Sequence, residues 1–297
     1  LNRQGIGRSV CSSDKKKEGD SPVSRIFRLA VTAADRTNPE KTCLDSIYEA
    51  GDRGADMILL PEEPDIVASR PPGEHRMEDH PLFQAFRKAA AQKNIAVVGS
   101  LSVKVDEGVA NTGFFLDRSG DLQGIYRKKH PAPSEEYIVT TPVSGDPFPL
   151  FEFEDVKFGM AICMDIHVPE MFRIYGLKGA HIVLVPTMYL DYTGDMLESI
   201  EKARAIDSQM YLALSRYLEL PYLAGKSMGY AKVIAPDGRI IVSTAHRPGI
   251  GIAEFDPEWR MPFWGDGYRD MREIYDKIRR PDFYGDLVKP KSEEGTT

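Results

Sequence analysis

The sequence predicts an α/β fold, a four-layer αββα sandwich built from two βαβαβββ half-repeats. Three observations predict it. A succession of apolar strand-length runs and amphipathic helical stretches between Ile26 and Arg127 returns in the same order between Val156 and Phe255. Each half carries its helices on one face of its sheet, which leaves the other face apolar and in need of cover. Stacking the halves sheet to sheet covers both faces at once.

The elements follow in order. Ile26 to Ala33 reads as a strand, and Pro39 to Arg53 as a helix with Pro39 in its first turn after the cap candidate Asn38. Cys43, Ile47 and Ala50 fall in phase on its core face. Asp56 to Leu60 is a second strand and completes a βαβ unit. His80 to Lys93 is another amphipathic helix and Ile95 to Val103 another strand. Asn111 to Leu116 and Leu122 to Arg127 form a hairpin across Asp117-Arg118-Ser119-Gly120. After the proline-rich stretch from Pro131 to Pro149 come strand Val156 to Cys163, helix Val168 to Lys178, strand His181 to Val185, helix Glu198 to Gln209 and strand Tyr211 to Ser215. A hairpin of Gly229 to Ala235 and Arg239 to Thr244 turns at Pro236-Asp237-Gly238, and Ile250 to Phe255 is the last strand.

The chain has 297 residues, 42% hydrophobic and 28% charged, which is too apolar for disorder and long enough for a large core. Its 38 basic residues against 45 carboxylates give a net charge of −7, which argues against nucleic acid or an anionic membrane as partner. No apolar run approaches the roughly 20 residues that span a bilayer, and no signal-peptide core opens the chain, so a cytoplasmic location is expected. The three cysteines are widely spaced and show no zinc-ligand pattern, so any important one is expected to act as a thiol. Residues 1–24, with the run from Lys15 to Asp20, read as a flexible polar leader. Residues 25–297 read as one domain that includes a C-terminal arm from about 259.

Three places could carry chemistry. Cys163 ends a buried strand just before a helix, where backbone N–H groups and the dipole favour a thiolate; taken alone it is either a nucleophile or a small buried hydrophobe. Glu62 and Glu63 follow the strand Asp56 to Leu60 at the end where α/β folds place their sites, and could equally be a solvated loop pair. Lys128 and Lys129 end the first half's last strand, with Glu136 eight positions after Lys128. Met188 and Tyr189, at the end of the strand His181 to Val185, are candidate pocket walls or simple packing. His75 and His80 frame a polar loop that we do not expect to bind metal.

Leu60-Pro61-Glu62, Tyr126-Arg127-Lys128-Lys129-His130 and Gly159-Met160-Ala161-Ile162-Cys163-Met164-Asp165, with Pro169-Glu170 beyond, resemble the three catalytic blocks of the nitrilase, or carbon–nitrogen hydrolase, superfamily, in its order. Glu136-Tyr137 resembles its second glutamate, Ala203-Arg204-Ala205 its later helix signature and Arg279 to Tyr284 its C-terminal arm. Cys163-Met164-Asp165-Ile166-His167 lacks the tryptophan-glutamate that often follows the cysteine of true nitrilases, and is similar to the amidase-type branches. The resemblance implies a Glu-Lys-Cys triad that cleaves a small amide or N-carbamoyl compound through a cysteine thioester, with neither metal nor cofactor. Cys163 would be the nucleophile, Glu62 the proton-transfer group, Lys128 and the Met164 amide the oxyanion donors, and Glu136 the second carboxylate, with Glu135 as substitute if the register differs by one. A nitrile hydrolase, an amide-forming acyltransferase or a non-catalytic scaffold on the same fold are the alternatives. It also implies a homodimer or a higher even oligomer, through the helices after Cys163 and the aromatic-rich arm.

Overall fold

A computed structural model describes residues 25–188, 195–218, 230–244, 247–263 and 269–289. The leader, Tyr189, Gly229, Trp264 and Tyr268 lie outside the described residues. Strand β1 (Phe27–Asp35) runs parallel to β2 (Met57–Leu59), with Leu29 beside Met57 and Val31 beside Leu59. Helix α1 (Pro39–Asp52) makes the crossover, and its Cys43, Ile47 and Ala50 are fully buried as their spacing predicts. A single turn, α2 (Pro64–Val67), and helix α3 (Pro81–Lys93) lead to β3 (Ala96–Val105), parallel to β2. Strands β4 (Gly108–Leu116) and β5 (Leu122–Arg127) continue antiparallel.

The second half repeats this plan. β6 (Phe151–Phe153) pairs with β7 (Val156–Met160), helix α4 (Pro169–Leu177) crosses to β8 (Ile182–Pro186), and α5 (Asp195–Ser208) crosses to β9 (Tyr211–Leu218). β10 (Lys232–Ile234) and β11 (Ile240–Ser243) follow antiparallel, then β12 (Gly249–Phe255) and, in the arm, α6 (Met271–Ile278).

Two details depart from a simple duplication. The sequence pattern assigns the last strand no partner, and β12 lies antiparallel on β1, Phe27 opposite Phe255 and Ala33 opposite Gly249. This covers an edge of β1 that would otherwise offer unpaired N–H and C=O groups. It also buries Phe255, whose ring lies 4.3 Å from Tyr211 and 6.0 Å from Phe27. Strand β6 has only three residues beside a proline-rich stretch, too short for a periodic signal. The two halves are also hydrogen-bonded to each other, because Ala33, Ala34 and Asp35 pair in parallel with Arg216, Tyr217 and Leu218.

Alternation along β1 decides which layer each side chain enters. Leu29 and Val31 enter the cluster between the sheets, together with Met57, Val98 and Phe115 from the first half and Phe158, Met160 and Leu184 from the second. Ala30 faces the other way, into the layer under α1 and α3 with Ile58, Val97, Phe83 and Phe86. Contact across the sandwich is direct: the rings of Phe115 and Phe158 are 5.1 Å apart, edge to face. On α4, Met171, Phe172 and Tyr175 are all buried against the protein's own core, Ile174 is half-buried and Leu177 is exposed, so this helix has less spare apolar surface than its sequence suggests. Among the described residues, no helix is long and apolar enough to cross a membrane.

Candidate active site

The strand pattern predicts that the second half's first strand continues to Cys163, but the ladder stops at Met160 and a 3₁₀ turn spans Cys163–His167. Cys163 itself has φ of 47°, the left-handed region that non-glycine residues occupy only when their surroundings hold them there. Asp165 supplies the hold. Its fully buried carboxylate accepts from the Ile162 N–H at 2.8 Å, from the Tyr126 hydroxyl at 2.7 Å and from the His130 backbone N–H at 3.0 Å. The turn that carries the thiol is thereby tied to the segment after β5 that carries Lys128. The α-helix starts at Pro169, within a residue of its expected start, and Cys163 sits on the strand-to-helix turn ahead of it, six positions before the first helical residue.

Lys128 and Glu62 are both fully buried, and Lys128 Nζ donates to Glu62 Oε1 at 2.8 Å. Glu62 is held from two further sides: Oε1 also accepts from Asn111 Nδ2 at 2.9 Å and Oε2 from the Met188 backbone N–H at 2.9 Å. The Cys163 thiol, itself buried, lies within hydrogen-bonding reach of Thr187 and Glu62. Burial, followed by the charge of Glu62, pushes that thiol well above the ordinary cysteine range, against a lowering influence of Lys128. The resting sulfur is therefore protonated, with a carboxylate in place to take the proton. Burial also works against the Lys128 ammonium, but the charges of Glu62 and Cys163 and the hydrogen bonds to Glu135 and Glu62 outweigh it and raise its pKa.

The second carboxylate on Lys128 is Glu135, not Glu136. Glu135 lies in a 3₁₀ turn, Pro133–Glu135, and bends back so that its Oε2 accepts from the Ala132 N–H at 2.6 Å while Lys128 Nζ donates to Oε1 and Oε2 at 2.9 and 2.7 Å. Glu136, one position on, is exposed. The cause is the turn, whose phase aims alternate carboxylates to opposite sides and cannot be read from spacing alone. Glu135→Ala is expected to lower turnover at least about tenfold through loss of a charge-assisted contact to Lys128, and Glu136→Ala to leave it within about twofold, measured on any amide the protein turns over.

The other expected residues are placed as follows. Met164 follows Cys163 on the turn and is half-buried. Met188 is half-buried and packs its side chain against the layer under α1 and α3, while its backbone holds Glu62. Tyr189 lies outside the described residues. Sequence reading missed Asn111 and Asp165 as the groups that fix Glu62 and the thiol turn. Asn111, fully buried inside β4, is a residue type that strands disfavour, and this was its available signal.

Glu63 is also drawn into the site. It is 4% exposed with φ of 43°, and its N–H donates to both the carbonyl and Oγ of Ser100 at 3.2 Å. Carboxylate oxygens of Glu62, Glu63 and Glu135 lie within 4.8 Å of one another, a grouping that could in principle hold a metal. The Lys128 ammonium, bonded to Glu62 and Glu135 together, already stands where such a cation would neutralise them. His75 and His80 meet edge to face at 5.6 Å, and His80 Nε2 lies 3.4 Å from Asp65, a buried pair away from the thiol turn.

Comparison with known proteins identifies the family. The Carbon-nitrogen hydrolase family model matches residues 25–260. A deaminated glutathione amidase of Bos taurus is 26% identical over 301 residues, covering 91% of this chain and 86% of its own. The chloroplastic omega-amidase of Arabidopsis thaliana is 26% identical over 246 residues, covering 78% of this chain and 66% of its own. Among solved structures, an amidase from Nesterenkonia sp. superposes with a TM-score of 0.71 at 22% identity, covering 88% of this chain and 96% of its own, a likeness of fold.

Proposed function

The chain belongs to the carbon–nitrogen hydrolase family and acts on non-peptide carbon–nitrogen bonds, and from that premise we propose that it hydrolyses a small amide or N-carbamoyl compound through a thioester on Cys163. The observation that carries this reading is the fully buried Glu62–Lys128 pair with the Cys163 thiol in reach of Glu62. Nothing in packing requires a buried ion pair; an apolar pair of the same size commonly stabilises a core as well or better.

In the proposed reaction Glu62 takes the thiol proton as Sγ attacks the carbonyl carbon. Lys128 and the Met164 N–H meet the oxyanion that forms, a task worth about 3–4 kcal/mol per donor in comparable sites. Glu62 then gives its proton to the nitrogen as the C–N bond breaks, ammonia or an amine leaves, and the acyl group remains on sulfur. Glu62 next takes a proton from water, whose oxygen attacks the thioester, and the acid is released with the thiol reformed. Glu135 holds the ammonium in place throughout. Ammonia release from short aliphatic amides and N-carbamoyl amino compounds tests the reading; turnover of nitriles alone would overturn it.

Thiol reactivity gives a separate check. Cys43 is fully buried in α1, and burial, then the charge of Glu40, raises its pKa, whereas Cys163 has Glu62 in hydrogen-bonding reach. Iodoacetamide is expected to label Cys163 much faster than Cys43 in the folded protein. Equal labelling would contradict an activated nucleophile.

The assembly we propose is an isologous homodimer through α4, α5 and the arm. Supporting it, the arm folds onto these helices, with Arg272 donating to the carbonyls of Ala180 and Gln209 and Arg173 over the Tyr275 ring at 5.7 Å, yet leaves a cavity of about 960 Å³ between them. Ile278, Phe283, Leu287 and Val288 at its end remain exposed. Light scattering at micromolar concentration is expected to give twice the 33.2 kDa chain mass or a higher even multiple. A fully active monomer would contradict it.

A further inference from the structure

We propose that Glu63 is a specificity residue that receives a positively charged nitrogen of the substrate, so that the amides this site takes carry an ammonium or amidinium group; the inference rests on the amidohydrolase reading above. Each neighbouring carboxylate has at least one partner, although Oδ1 of Asp65 is buried without one. Glu62 is bonded to Lys128, Asn111 and Met188, Glu135 to Lys128 and Ala132, and Asp65 accepts from the Ser102 N–H at 3.1 Å. Glu63 is 4% exposed, yet its carboxyl has no hydrogen bond or ion pair among the described residues. A buried carboxyl without a partner is costly, and proteins keep such groups where a ligand completes them.

Its direction is toward the chemistry. The carboxyl oxygens lie within 4.8 Å of those of Glu62 and Glu135, on the two carboxylates that share the Lys128 ammonium. Three acidic groups therefore face one ammonium, which is already engaged by two of them. An anionic substrate group placed there would meet repulsion, whereas a cation would meet an acceptor with free lone pairs. A metal ion fits less well, because the ammonium occupies the place between Glu62 and Glu135. The titratable groups facing Glu63 are Glu62, Asp65, Lys128, Glu135, Tyr137 and Tyr217. Burial, then Glu62 and Asp65, push its pKa well above the carboxylate range against a lowering influence of Lys128, and an arriving cation favours the ionised form, so binding is expected to release a proton.

The test measures recognition separately from turnover. In the Cys163→Ala protein, calorimetric titration would compare glycinamide, β-alaninamide and γ-aminobutyramide, each beside the amide in which methyl replaces ammonium. At least one ammonium amide is expected to bind about 30-fold tighter than its methyl counterpart, with proton release visible as a dependence on buffer ionisation enthalpy. Adding Glu63→Gln should reduce that ratio to within about 3-fold and abolish the proton release. A merely structural Glu63 would leave both readouts unmoved. Equal binding of both series, no binding of either, a preference that survives Glu63→Gln, or Glu63-dependent binding of magnesium or zinc alone would each overturn the proposal. Ammonia release by the intact enzyme keeps the two readings apart: turnover of neutral amides with no ammonium preference sinks the recognition only. Preference without turnover sinks the hydrolase reading only.

Discussion

Glutamine in place of Glu62 is expected to lower kcat about 10³-fold, because the proton must leave the thiol, reach the leaving nitrogen and later leave water, and Glu62 is the carboxylate in reach of Cys163 among the described residues. The change is nearly isosteric. Lys128 keeps Glu135, so the ammonium is not stranded. One cost remains: Glu62 accepts on both oxygens, from Lys128 and Asn111 on one side and the Met188 N–H on the other, and the new amide NH₂ must face a donor on one side. That mismatch is worth about 1–3 kcal/mol of stability, so the rate is read below the variant's unfolding transition, with circular dichroism as the check that it is folded. A kcat within tenfold of the parent would remove Glu62 from the reaction.

Methionine in place of Lys128 is expected to do more, through two routes. Loss of an oxyanion donor costs about 10²–10³-fold in kcat. Loss of the ammonium leaves Glu62 and Glu135 without their shared counter-charge and takes from Glu63 the one neighbour that lowers its pKa. Breaking a buried pair in this way costs about 3–5 kcal/mol when the orphaned charge stays ionised. The sign with pH follows. A carboxyl whose folded pKa is raised above its unfolded value contributes stability that is present at low pH and lost as pH rises through the folded pKa. The variant is therefore expected to melt higher at pH 5 than at pH 8 by a wider margin than the parent, in which Lys128 still lowers the pKa of Glu63 and neutralises Glu62 and Glu135. Thermal melts at the two pH values check it, and an identical difference in both proteins would contradict it.

What could be read from residues alone has a physical boundary. The parallel strands and their crossover helices were legible because apolar runs such as Met57 to Leu59 and Val183 to Val185 are buried on both faces, and because α1 shows Cys43, Ile47 and Ala50 at helical spacing. Glu62 and Cys163 were legible because each follows a largely buried run where the backbone leaves the sheet, whereas Lys128 follows a half-exposed strand and stood out only through the family resemblance. Glu135 was not, since a single 3₁₀ turn decides which of two adjacent glutamates reaches Lys128. The destination of β12 was not either: its own pattern fits any sheet edge, and only the bare edge of β1 selects one. The lone state of the Glu63 carboxyl is a tertiary fact, invisible in a pair of glutamates that could equally be a solvated loop.

The most direct measurement is on the sulfur. The parent protein would be mixed with a turned-over amide, quenched in acid within seconds and examined by intact and peptide mass spectrometry. The result expected is an added mass equal to the acyl group, confined to the peptide that contains Cys163 and absent from Cys163→Ala, which should also release no ammonia. Ammonia release by Cys163→Ala, or an acyl group carried on any other residue, would contradict the thioester.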